Sequence, residues 1–74
     1  MSHGTSRALK RQWLILRKLD HSVTEPQLME MFQITRRTVL RDLNTLEEAG
    51  FPLYDEFIEG RKVWRLVTPL RKLL

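Results

Sequence analysis

Cysteine is absent from the 74 residues, and histidine occurs only at positions 3 and 21. Without thiols the chain has neither disulfides nor a thiolate zinc site, which excludes a zinc finger. Two histidines far apart in the sequence do not suggest a metal site. The sequence therefore predicts no metal and no cofactor.

Glycine is also scarce, with three residues, and no Gly-rich phosphate loop is present. No convincing Ser/His/Asp set occurs, so we do not expect an enzyme. No apolar run approaches the roughly 18 residues of a membrane span, and the start lacks a signal-peptide pattern. We expect a cytoplasmic, nucleoid-associated protein with no membrane role.

Basic residues are in excess: thirteen Lys and Arg face nine Asp and Glu, giving a formal net charge of +4. This balance fits a polyanionic partner. A chain of this length forms one domain with a small core and no deep cleft.

The stretch from Ile34 to Gly50 has the pattern of a helix running from Arg36 to Ala49. Thr35 suits the N-cap, and Gly50 suits the position just after the C-terminus. One buried face is predicted by apolar residues at i, i+4 and i+7, namely Val39, Leu43 and Leu46.

The charges on this helix oppose its dipole. Arg36, Arg37 and Arg41 occupy the first two turns, where acidic side chains are favoured. A solvated face is the alternative for any single arginine, but the set suggests an external anion such as the DNA backbone. The helical wheel directs three side chains opposite the buried face, Arg37, Arg41 and Asn44, with Thr38 beside them. Arg36, nearer the inner edge, is a candidate phosphate contact.

A short helix is predicted before it, over residues 25–31. Thr24 is the cap, Pro26 fits the first turn, and Gln27 completes a capping box. Residues 32–34 form the turn, so the two helices make a helix-turn-helix. An earlier helix is predicted over residues 6–19, with a buried stripe at Leu9, Trp13 and Leu16.

The period changes after Gly50, and residues 53–58 and 61–67 favour strands joined by Glu59-Gly60. This loop predicts that Leu53 pairs with Leu66, Asp55 with Trp64 and Phe57 with Lys62. The helix-facing side is predicted to carry Leu53, Trp64 and Leu66, and the other side Tyr54, Glu56, Val63 and Arg65. Arg61 and Lys62 lie at the tip and are candidate DNA contacts.

The predicted fold class is mainly α (α+β): a winged helix-turn-helix of three helices followed by a two-stranded β-hairpin wing. We expect a disordered lead at residues 1–5, the DNA-binding domain at 6–67, and the start of a linker or dimerisation helix at 68–74, where Thr68-Pro69 can open a helix.

The run ITRRTVLRDLNTLEEAGFPL resembles the DNA-binding domain of DeoR-like bacterial transcriptional regulators, especially WYL-domain regulators. VTEPQLMEMF is similar to the helix before it. The resemblance implies sequence-specific binding of double-stranded DNA by Thr35, Arg36, Arg37, Thr38 and Arg41. The chain differs from that family at Gln33, where Gly is usual, at Leu40, where Tyr is frequent, and in a wing with one Gly.

The resemblance also implies a regulator whose effector-binding region lies outside this chain. A homodimer is expected in the full-length protein, through regions outside these residues. The alternative is a winged-helix protein-interaction module without DNA binding, which exposed Leu14, Leu40 and Leu70 would favour.

Overall fold

The computed structural model describes the backbone of residues 3–74 and the side chains from Arg7 onward. The chain forms three main helices, a hairpin and a short last helix. Their bounds are α1 His3–Lys18, β1 Val23–Thr24, α2 Glu25–Phe32, α3 Arg36–Glu48, β2 Leu53–Ile58, β3 Arg61–Leu66 and α4 Leu70–Leu73. The predicted winged helix-turn-helix is confirmed.

Local hydrogen bonds fix where α2 and α3 begin. Thr24 accepts from the Gln27 backbone N–H while the Gln27 side chain accepts from the Thr24 N–H, the predicted capping box. Thr35 accepts from the Thr38 N–H at 3.2 Å and caps α3. Gly50, just beyond α3, has φ of 103°, a conformation that glycine adopts without strain.

The hairpin has the predicted register, with Leu53 opposite Leu66, Asp55 opposite Trp64 and Phe57 opposite Lys62. Glu59 and Gly60 both have positive φ, as a two-residue type I′ turn requires. One strand was not predicted: Val23 and Thr24, expected as turn and cap, pair with β3.

The third strand makes β3 the centre of the sheet, in the order β1-β3-β2. Val63 was predicted on the outward face but is buried. It lies opposite both Thr24 and Glu56, because a central strand has neighbours on each side.

The core lies between the helices and the inner face of β3, as ten buried side chains show: Ile15, Leu16, Leu19, Val23, Leu28, Val39, Leu43, Leu46, Leu66 and Leu70. The stripe predicted on α1 is wrong in part, since Leu9 and Trp13 are exposed by 67% and 44%. The inward face instead carries Ile15, Leu16 and Leu19, together with the polar residues Arg11 and Gln12. Both polar side chains bind the buried carboxylate of Asp42 on α3.

The chain after the wing returns to the end of α1. The Leu66 N–H donates to the Leu19 carbonyl, and the Leu70 N–H donates to the Asp20 carboxylate at 2.7 Å. Leu70, predicted to be exposed, is therefore buried, while Leu14 and Leu40 are half-buried.

Helix α1 begins earlier than predicted. Of the expected lead at residues 1–5, Met1 and Ser2 lie outside the described residues, and the backbone of residues 3–5 is already helical. No helix in the part of the chain that the structure describes has the length and apolar character to cross a membrane.

Candidate nucleic-acid interface

Helix α3 has one face in the core and the opposite face in solvent. Val39, Leu43 and Leu46 are buried, whereas Arg37 and Arg41 are exposed. Among the side chains from Arg7 onward, no carboxylate oxygen lies within 4.0 Å of either guanidinium. Two unpaired cations thus stand on the outward face of a helix near its positive end.

Arg36 has an internal partner that sequence reasoning did not anticipate. Its Nε donates to Oε1 of Glu25 at 2.7 Å, although 64% of the Arg36 side chain is exposed. The conflict between the dipole and Arg36 is therefore relieved partly within the molecule, rather than only by an external anion as the charge pattern suggested.

Glu25 joins α2 to both α3 and the wing. Its second oxygen, Oε2, accepts from the indole Nε1 of Trp64 at 3.0 Å and lies 3.9 Å from Nζ of Lys62. Desolvation acts to raise the pKa of Glu25. Hydrogen bonds from Arg36 and Trp64, with the charges of Arg36 and Lys62, outweigh it, so the pKa is lowered and the carboxylate stays ionised.

An ion pair with a buried carboxylate joins α3 to α1 and helps to fix the rotation of α3 about its axis. Asp42, 1% exposed, accepts from Nε and one Nη of Arg11 at 2.5 and 3.0 Å and from the Gln12 amide at 3.1 Å. The Asp42 carboxylate raises the pKa of Arg11 by hydrogen bonding, against a smaller desolvation effect. Because Asp42 and Leu43 are both held inward, Arg41 lies on the opposite, outward side of the helix.

Three polar candidates, one at the cap of α3 and two within the helix, already have local partners. The Thr35 and Thr38 hydroxyls lie 3.1 Å apart, and Thr35 also caps the helix. Asn44 donates to Glu48 at 3.0 Å across one exposed helical turn. An exposed contact of this kind is weak enough for a base edge to replace it.

The two wing candidates differ. Arg61 is exposed beside the turn. Lys62 lies 3.4 Å from Asp55, near Glu25, with its ammonium 5.1 Å from the centre of the Trp64 ring. Lys62 thus lies between acidic side chains of β2 and α2, which leaves Arg61 as the cation presented beside the turn.

The sequence analysis did not identify the residues that hold α3 against the rest of the domain, namely Glu25, Asp42 and Arg11. A signal existed for Asp42, an acid set between Val39 and Leu43 on a face predicted to be apolar. No comparable signal existed for Glu25, because its partners lie 11 and 39 residues away. Among the described residues, no group of three His, Cys, Asp or Glu is placed to hold a metal ion.

Comparison with known proteins agrees with this geometry. A family described as an HTH domain matches residues 9–56, from α1 into β2. Searches of the curated proteins and of the solved structures gave no significant match. The matched segment contains the helix-turn-helix and the outward arginines of α3, and the chain belongs to the family of helix-turn-helix (HTH) domains.

Proposed function

We propose that this domain binds specific sequences of double-stranded DNA as the DNA-binding domain of a bacterial transcriptional regulator. Helix α3 enters the major groove with Arg37, Arg41, Asn44 and Thr38 toward the base edges. Around these base contacts, the DNA phosphates are bound by four further residues, which fix the position of the domain along the duplex: Thr35, Arg36, Arg61 and Lys62. A cytoplasmic location on nucleoid DNA follows from this role.

One observation carries the proposal: Arg37 and Arg41 are exposed, lack carboxylate partners among the described side chains, and project from the face of α3 opposite its buried residues. Arginine is the side chain best shaped to bind a guanine edge with two hydrogen bonds. The Asp42–Arg11 pair holds α3 at one rotation, so both arginines are presented together.

The test is to select binding sites from a random duplex pool and measure the affinity of Arg37→Ala and Arg41→Ala for them. Each loss of a two-bond base contact should cost about 1–3 kcal/mol of specific binding. It should also relax the preference at one base position.

Arg17→Ala is the matched control. Arg17 is also exposed but lies in the last turn of α1, and its removal changes the net charge by the same amount. Arg17→Ala is expected to weaken selected and random duplexes equally. If Arg37→Ala and Arg41→Ala did the same, base reading by α3 would be ruled out.

We further propose that the parent protein is DeoR-like and of the WYL-domain type, with an effector region elsewhere. The support is the run from Thr35 to Thr38 at the start of α3 and the order Arg41-Asp42-Leu43. In that order Arg41 faces solvent while Asp42 and Leu43 are buried, so the motif serves both binding and fold. A symmetric dimer of the full-length protein would place two such domains on half-sites about 34 Å apart.

A protein-interaction module without DNA binding is the second candidate. It no longer rests on Leu14, Leu40 and Leu70, which are partly or fully buried. It is favoured by the wing, where Phe57 is 75% exposed beside acidic Asp55 and Glu56. The test is an electrophoretic mobility shift of random duplex DNA. A salt-dependent shift would rule out the interaction module without DNA binding, and no shift at low ionic strength would support it.

A further inference from the structure

The two oxygens of the Glu25 carboxylate serve different elements. Oε1 accepts from Arg36 of α3, and Oε2 accepts from Trp64 of β3. Glu25 itself is the first residue of α2 and is 7% exposed. The carboxylate is therefore held in place by the fold and cannot follow a mobile arginine outward.

The contact uses only one edge of the Arg36 guanidinium. Its Nε faces Glu25, and within the part of the chain whose side chains are described neither Nη atom has a hydrogen-bond acceptor. The edge formed by the two Nη atoms is therefore free, at the N-terminus of α3. That edge has the spacing to bind two oxygens of one phosphate.

We propose that Glu25 is a positioning residue that orients Arg36 for a two-bond contact with a DNA phosphate, while it fastens α3 to the wing. This inference rests on the proposed function. It reverses the effect expected of an acid near DNA, because the negative charge of Glu25 strengthens binding by aligning Arg36.

The sign of the effect makes the inference testable. Glu25→Gln keeps the size of the side chain and raises the net charge by one, so electrostatic attraction alone predicts tighter binding to DNA. Loss of the Arg36 alignment predicts weaker binding. It also predicts a salt slope that is shallower by about 0.9, the value of one phosphate contact.

The experiment measures fluorescence anisotropy of a labelled random-sequence duplex over a sodium chloride series, since a phosphate contact does not depend on sequence. Glu25→Gln and Arg36→Ala should each weaken binding about fivefold, the upper range for an exposed ion pair. The double variant should bind no more weakly than Arg36→Ala. Binding by Glu25→Gln that equals or exceeds the wild type, with an unchanged slope, would overturn the inference.

Arg36→Lys tests the geometry without touching the buried carboxylate. Lysine keeps the charge but has one ammonium, which cannot serve Glu25 and a phosphate with the two edges of a fork. The variant should therefore resemble Arg36→Ala in slope. A Lys variant that matches the wild type would refute the orientation of Arg36 as the cause.

Trp64→Phe separates positioning from stability. It removes the donor to Oε2 and leaves the Arg36 contact intact. At a temperature where circular dichroism shows every variant folded, it should retain the wild-type affinity and slope. A loss equal to that of Glu25→Gln would mean that Glu25 acts through the wing and not through Arg36. Failure of the wild type to bind the random duplex would instead refute the proposed function.

Discussion

At the scale of single residues, Gln33 has the least favourable backbone conformation in the helix-turn-helix. It follows α2 with φ of 53° and ψ of 51°, in the left-handed region. Its backbone N–H donates to Met29 and its side-chain amide to the Glu30 carbonyl at 2.8 Å. Glycine adopts this conformation without strain, whereas a residue with a Cβ does not.

Gln33→Gly is expected to stabilise the domain. A residue with a Cβ loses about 1–2 kcal/mol of stability in the left-handed conformation, and glycine does not. Glycine in turn loses roughly 0.5–1 kcal/mol because its unfolded chain is more flexible. The net gain should be up to about 1 kcal/mol in the free energy of unfolding, measured by urea denaturation.

Gln33→Ala is the control, because it loses the amide contact with Glu30 but keeps a Cβ in the left-handed region. It should be less stable than the wild type. Equal stability of the Gly and Ala variants would show that the strain relieved at residue 33 only balances the greater freedom of glycine in the unfolded chain, and the predicted net gain would be wrong.

At the scale of elements, most of the fold could be predicted because local signals agree with one another. The Thr24 and Thr35 caps, the apolar period of α3 and the Glu59-Gly60 turn are each set within a few residues of sequence. Strand β1 could not be predicted in this way. Its two residues are held by a partner strand about 40 positions later, and nothing local distinguishes them from a turn.

The wing turn gives a prediction at this scale. Glu59 takes φ of 53° at the first central position of a type I′ turn, where asparagine is favoured. Asn is several-fold enriched at positive φ, so Glu59→Asn should stabilise the hairpin by about 0.5–1 kcal/mol. The measurement is the urea midpoint.

Glu59→Gln serves as the comparison, since it removes the same charge without the conformational preference of asparagine. The Asn variant should exceed the Gln variant in stability. If both gained equally, relief of charge repulsion among the acidic residues of the wing, and not the turn, would be the cause.

At the scale of the whole molecule, the outward arginines could be predicted but their support could not. The helical period places Arg37 and Arg41 opposite Leu43 from sequence alone. Arg11 and Asp42 meet across 31 residues, and Glu25 meets Trp64 across 39, through the packing of helices and sheet. The local sequence pattern does not show how distant elements pack. The prediction therefore gave Arg36 no partner within the protein and assigned the wrong residues to the inward face of α1.

The acid stability of the domain should report the Glu25 contacts. Because the folded-state pKa of Glu25 is lowered from its ordinary 4.5, its contribution is complete above that pH and is lost as the pH falls through the folded-state value. The free energy of unfolding of the wild type, minus that of Glu25→Gln, should be constant near neutrality and decline on acidification below about pH 4.5.

Urea denaturation of both proteins at a series of pH values gives this difference. Glu25→Gln removes only that titrating group, so the other carboxylates cancel to first order. A difference that grew on acidification would show that burial dominates and that the ion contacts do not hold Glu25 ionised.

The bonds from Leu66 to Leu19 and from Leu70 to Asp20 close the chain on itself. The segment between these points contains α2, α3 and the wing, and its two ends are joined by the two hydrogen bonds. A pulling force between α1 and α4 would act on these two hydrogen bonds before it could extend the chain between them. The segment between them, which contains α3, would therefore be extended only after both hydrogen bonds had broken.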